Sequence, residues 1–211
     1  MPIVKETVKQ IDQFLESCIK AGDFTGAVYL IAEKSQIFAL GSCGNAIITP
    51  EEIPVTVDTI FDMASVTKPL VTGMLLTQCL EKGLFSLEQP ISEILPEFKT
   101  KEKSSITIAQ VASHSAGFIA WLPFYALVEN KAQVLSKIAQ EPLVYSPGTK
   151  VIYSDLSYIT LGFLLEILTS KPLDELLRQN VLHPLNLKNS CFNPPNEWKR
   201  QIAASETGNQ Y

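Results

Sequence analysis

Ser65 and Lys68 stand three residues apart in Phe61-Asp62-Met63-Ala64-Ser65-Val66-Thr67-Lys68-Pro69, where an apolar, helix-forming run begins. On a helix, positions three apart share a face, so the serine Oγ and the lysine Nζ can meet. A serine hydroxyl is a weak nucleophile until a neighbouring base takes its proton. A lysine serves as that base when burial or nearby positive charge lowers its pKa. The flanking residues are apolar enough to bury it. The start of a helix adds backbone N–H donors and positive potential, which can hold a developing oxyanion. The chemistry drawn by these residues is acyl transfer through a serine ester. By itself the spacing also arises by chance, with Ser65 only capping a helix, and Pro69 in a first turn fits either reading.

Tyr153-Ser154-Asp155 supplies a second group of reactive side chains. It follows the turn at Pro147-Gly148-Thr149 and precedes a long apolar helix. Together the two motifs resemble the serine beta-lactamase, penicillin-binding protein and esterase superfamily, most closely its class C-like beta-lactamase-related branch, whose second motif is Y-x-N. The resemblance runs collinearly from about Gly26 onward. "FDMASVTKPL" is similar to the family's nucleophile segment, and "LEKGLFSLEQPISEILPEF" (Leu80 to Phe98) to the loop after it. "ITIAQVASHSAGF" (Ile106 to Phe118) is similar to "LLTHTSGL", and Tyr153 to Leu187 to a stretch that ends in "PLGM".

This resemblance implies Ser65 as nucleophile, Lys68 as activating base and Tyr153 as general acid and base. Asp155 takes the substrate-binding position, where much of the branch has an asparagine that meets the substrate's amide carbonyl. An ionised carboxylate only accepts hydrogen bonds, which weakens a lactam or amide assignment and leaves esters open. Reading Ser154-Asp155 as the start of an S-D-N motif fails, because Leu156 stands where the asparagine belongs. The third family motif, K-T-G or H-x-G, is absent; Glu206-Thr207-Gly208 lies in a polar tail and is not assigned to it. His114-Ser115-Ala116-Gly117 reads as a structural stretch of the helical region. The function so implied is a serine hydrolase that acts through an acyl-enzyme on a beta-lactam, a D-amino-acid peptide or a small ester. The alternative is a catalytically impaired fragment, or a non-catalytic binding or regulatory module of the same fold.

The elements that must position these residues can be read from periodicity. Val4, Val8, Ile11, Leu15 and Cys18 recur at helical steps, and Gly22 suits the helix end. Gly26 to Ala32 predicts a strand buried on both faces, with Gln36 to Leu40 as its hairpin partner. Gly41 to Pro54 reads as turn-rich. Helices are predicted over Val66 to Lys82, closed by Gly83, and over Ile106 to Ser113 and Lys131 to Gln140. Two more are predicted over Asp155 to Leu168, with Asp155 as N-cap, and Leu173 to Leu182.

Composition narrows the classes. Of 211 residues, 46% are apolar and 18% charged, with a net charge of −5. That excludes a basic nucleic-acid binder and a disordered chain. His114 and His183 have no metal-ligand spacing, and no phosphate-binding glycine pattern exists, so no metal and no cofactor are expected. Four cysteines without C-x-x-C argue against zinc, and Cys18 and Cys79 read as buried thiols. Lys5, Glu6, Lys9, Asp12 and Glu16 interrupt any signal-like apolar core. The uncharged stretch Ser104 to Val128 is too patchy to span a membrane. The expected partner is a small-molecule or peptide substrate, with no nucleic acid and no transmembrane segment. The expected location is cytoplasmic, or periplasmic or secreted if a signal precedes the chain. The resemblance implies an α+β, beta-lactamase/transpeptidase-like fold: an antiparallel sheet flanked by helices, plus an all-helical region. Residues 1–60 would hold the helix and strands of the α/β region, and 61–211 the mainly helical region with both motifs. The sheet is expected to be incomplete, lacking its C-terminal strands, and the positive mean hydropathy of +0.15 fits surfaces meant to be covered.

Overall fold

The computed structural model describes residues 2–205, with side chains from Glu6 onward; Glu206-Thr207-Gly208 lies outside the described residues. The chain forms two units. One runs to Met63 and resumes at Phe192, and the other is Ala64–Cys191.

The first unit begins with α1 (Pro2–Ala21), on the helical period expected. Gly22, at φ +84°, ends it, and its N–H donates to the Ile19 carbonyl while Asp23 N–H donates to that of Cys18. Those bonds satisfy carbonyls that a helix end leaves open. A three-stranded antiparallel sheet follows, in the order β1 (Gly26–Glu33), β2 (Gln36–Ile47), β3 (Ile53–Pro54). Lys34 and Ser35 both hold positive φ, the geometry of a tight hairpin turn that matches strand twist. Tyr29 donates its hydroxyl to Asp12 Oδ1 at 2.6 Å and ties β1 to α1.

Two expectations fail here. β2 does not stop at Leu40 but continues through Gly41 and Gly44. Those glycines mark close approaches, not a turn. A Cβ at Gly41 would sit 2.6 Å from the Tyr29 ring, and one at Gly44 (φ +76°) 2.3 Å from the Thr25 carbonyl. A glycine inside a strand often marks such contact. Nor is β1 buried on both faces, since Leu30, Ile31, Ile37, Phe38 and Leu40 along the hairpin are all exposed. Farther on, Ile60 forms a parallel bridge with Ile202.

The second unit is helical. Its core is continuous, with Ile91, Leu95, Phe98, Ile106, Leu161 and Leu164 fully sealed. Each such side chain contributes about 1.5–3 kcal/mol over exposure to water. The helix expected over Val66 to Lys82 is not uniform. It opens as a 3₁₀ turn (Ala64–Val66), widens into π turns (Lys68–Gly73) and becomes α2 (Met74–Glu81). The π character shows in Met74 N–H, which reaches back to the Pro69 carbonyl. α3 (Ile108–Ala112) starts at Thr107 with reciprocal bonds to Gln110, a capping box. α4 (Phe124–Leu127) and α5 (Lys131–Gln140) follow. The buried Lys103 ammonium closes α5 by donating to the carbonyls of Ile138 at 3.3 Å, Ala139 at 2.5 Å and Glu141. α6 (Asp155–Thr169) and α7 (Leu173–Leu177) follow, and the helix expected over Leu173 to Leu182 continues beyond α7 as π turns (Arg178–Leu182). Among the described residues no helix is long and apolar enough to cross a membrane.

Candidate active site

Ser65, Lys68, Tyr153 and Asp155 all belong to the second unit. Ser65 lies in the 3₁₀ turn, and Lys68 is the first residue of the π turns. The three-residue spacing does what the sequence argument requires: Lys68 Nζ donates to Ser65 Oγ at 3.0 Å. Ser65 is solvent-exposed, whereas the Lys68 side chain keeps only 16% of its exposure.

Asp155 faces the same ammonium. Its Oδ1 lies 2.7 Å from Lys68 Nζ and is sealed from water. Asp155 was expected to cap α6, but Ser154 does so, accepting from Ser157 N–H at 3.4 Å and donating to the Ile119 carbonyl at 2.7 Å. Ser154 holds the extended N-cap position, and Asp155 is already the first helical residue. The carboxylate one residue on is thereby left to meet Lys68.

The expected depression of the Lys68 pKa does not occur. Burial is the largest single influence and pulls it down. The Asp155 carboxylate and the Tyr153 hydroxyl together outweigh burial and hold the group above its ordinary 10.5. Lys68 is therefore an ammonium at neutral pH.

Tyr153 sits with its ring centre 5.0 Å from Lys68 Nζ, and half of its surface is open. No regular element carries it. It is placed by two irregular segments laced together. Val144 N–H donates to the Gly117 carbonyl at 2.9 Å, and Gly148 N–H to that of Ser115 at 2.8 Å. Ile152 N–H donates to the His114 carbonyl at 3.1 Å, and Asp155 N–H to that of Ala120 at 2.8 Å. Thus the His114-to-Ala120 stretch, read from sequence only as structural, is the frame on which Tyr153 and Asp155 hang. The His114 imidazole also touches Tyr153 directly, with ring centres 4.8 Å apart. No local pattern announces that contact; only the H-S-A-G stretch itself marked the place.

Chemically, the arrangement offers a hydroxyl beside a cation, with a phenol and a carboxylate competing for the same cation. Among the described residues, no cluster of three or more His, Cys, Asp or Glu side chains could hold a metal.

A family model described as Beta-lactamase matches residues 11–211. The chain is 31% identical over 222 aligned residues to a protein of Escherichia coli O157:H7 named "Putative D-alanyl-D-alanine carboxypeptidase", covering 95% of this chain and 51% of that one. It thus spans about half the length of this curated relative. The solved structure of "EstCE1, a hydrolase with promiscuous acyltransferase activity" superposes with a TM-score of 0.85 at 25% identity, over 99% of this chain and 59% of that chain. A class C beta lactamase superposes with a TM-score of 0.82 at 20% identity, over 96% and 55%. These likenesses establish the beta-lactamase/transpeptidase-like fold.

Proposed function

The chain belongs to the Beta-lactamase family, and from that premise we propose that it acts as a serine hydrolase through an acyl-enzyme on Ser65. The observation that carries this reading is the 3.0 Å contact between Lys68 Nζ and Ser65 Oγ.

In this proposal the work is divided differently from the sequence reading. An ammonium that donates to Ser65 Oγ cannot also accept its proton. Lys68 is then the cation that steadies whichever oxygen turns negative, and Tyr153 carries the proton. Ser65 Oγ attacks the substrate carbonyl carbon and passes its proton to the Tyr153 oxygen while the Tyr153 hydroxyl proton moves on to the leaving nitrogen or oxygen. As the carbonyl reforms, the bond to that leaving atom breaks. Water then attacks the acyl-serine by the reverse of the same transfer, releasing the acid and restoring Ser65. The relatives' names span a D-alanyl carboxypeptidase, a hydrolase with acyltransferase activity and a beta-lactamase. A D-amino-acid peptide, a small ester and a beta-lactam are accordingly the substrate classes to try.

A fluorophosphonate or penicillin probe is expected to add its mass to Ser65 of the wild type and not to Ser65→Ala. No labelling of the wild type, or equal labelling of both, would overturn the reading. With p-nitrophenyl acetate or nitrocefin, Lys68→Ala and Tyr153→Phe should each lose about 10²–10⁴ in turnover. Unchanged rates in both would favour a binding module instead.

A further inference from the structure

We propose that His114 is a positioning residue for Tyr153: it grips the tyrosine from both flanks and lets go when its imidazole takes up a proton. The inference rests on the reading of Tyr153 as the proton carrier, and deepens it into a control of the site by pH.

Three contacts make the grip. On one side of Tyr153, Ile152 N–H donates to the His114 carbonyl at 3.1 Å. On the other, Ser154 N–H donates to His114 Nδ1, also at 3.1 Å. Between them the Tyr153 ring lies on the imidazole, with centres 4.8 Å apart and planes inclined by 36°. His114 is itself held. The Tyr158 ring packs on it at 5.1 Å, and the Tyr145 hydroxyl donates to its carbonyl at 2.8 Å. Its backbone is left-handed, at φ +57°. A residue with a Cβ keeps that strained conformation only where its surroundings demand it.

The Ser154 bond fixes the protonation state. A nitrogen that accepts carries no hydrogen, so the neutral ring bears its proton on Nε2. An added proton has one place to go, Nδ1, where it meets the Ser154 N–H head-on and abolishes the acceptor. The charged and titratable groups around the ring are Lys68 from the π turns, Asp155 at the start of α6, and the phenols of Tyr153, Tyr158 and Tyr145. Burial, then the Lys68 ammonium, push the imidazole below its ordinary 6.5, and the pulls in the other direction are smaller. The unfolded chain therefore takes the proton first as pH falls. The grip is intact at neutral pH and is lost as pH drops through the lowered value.

Two measurements on the full 211-residue chain decide the matter. The first follows imidazole ¹⁵N shifts and the Ser154 amide by NMR across an acid titration, and needs no variant. The expected result is an Nε2–H ring at neutral pH, titrating below 6.5, with the Ser154 amide moving in step. A ring protonated on Nδ1 at neutral pH, or a Ser154 amide indifferent to the titration, would overturn the proposal. The second follows the rate of Ser65 labelling by a fluorophosphonate against pH. Asparagine keeps an acceptor in place of Nδ1 and tolerates positive φ, but does not titrate. Losing one hydrogen bond should slow His114→Ala by about tenfold at neutral pH, while His114→Asn stays within about threefold of wild type. His114→Asn should also lose the acid fall of the wild type; if it retains that fall, the proposal is wrong. Should the wild type not label at all, the serine-hydrolase reading fails, and the NMR titration still decides the role of His114.

Discussion

Replacing Asp155 by asparagine keeps the side chain's shape and removes its charge. Lys68 would then lose its counter-ion while remaining mostly buried. For a pair between the exposed and buried extremes, the loss should be about 1–2 kcal/mol in urea unfolding at neutral pH. The gap should depend on pH in a defined direction. A lysine whose folded pKa is raised stabilises the fold fully below its unfolded value of 10.5, and that stabilisation disappears as pH climbs through the folded value. Measured from about pH 8 to about pH 11.5, the gap should therefore narrow at the alkaline end; a gap that stays constant would show that the ion pair is not its source. The Ser65–Lys68 contact was legible in the sequence because helical geometry brings residues three apart together. The charge state of Lys68 was not, because it is set by a residue far along the chain.

Elements that obey local rules were legible as well. The period of α1 and the span of α5 (Lys131–Gln140) both follow from short stretches of sequence. Glycine is where local reading failed, because the same residue serves turns and close approaches. Gly117 and Gly83 separate the two uses. Both hold positive φ, but a Cβ at Gly83 meets nothing within 4 Å, whereas one at Gly117 would lie 2.3 Å from the Tyr145 carbonyl oxygen. Gly83→Ala should cost about 1–2 kcal/mol, the backbone strain alone. Gly117→Ala should cost upward of about 3 kcal/mol, because the lacing that holds Tyr153 must open as well. Urea midpoints compare the two directly, and equal losses would refute the distinction. The placement of Tyr153 itself could not be read locally, since it depends on bonds between two segments with no periodicity.

At the scale of the whole molecule, the expected greasy surface is visible on the first unit. Among the described residues β1 is an edge of the sheet, and the paired Leu30 and Leu40 are exposed. An unpaired edge with apolar side chains invites association. The chain should bind a hydrophobic dye and sediment as larger species with rising concentration. Leu30→Lys with Leu40→Lys should reduce both, and unchanged dye binding in that variant would place the sticky surface elsewhere. The cap on α6 bears on a different question, that of history. Ser154 already ties off the helix, so the cap makes no demand on position 155. A single base change separates an aspartate codon from an asparagine codon. The charge beside Lys68 is thus a setting that one base change can alter without rebuilding the helix cap.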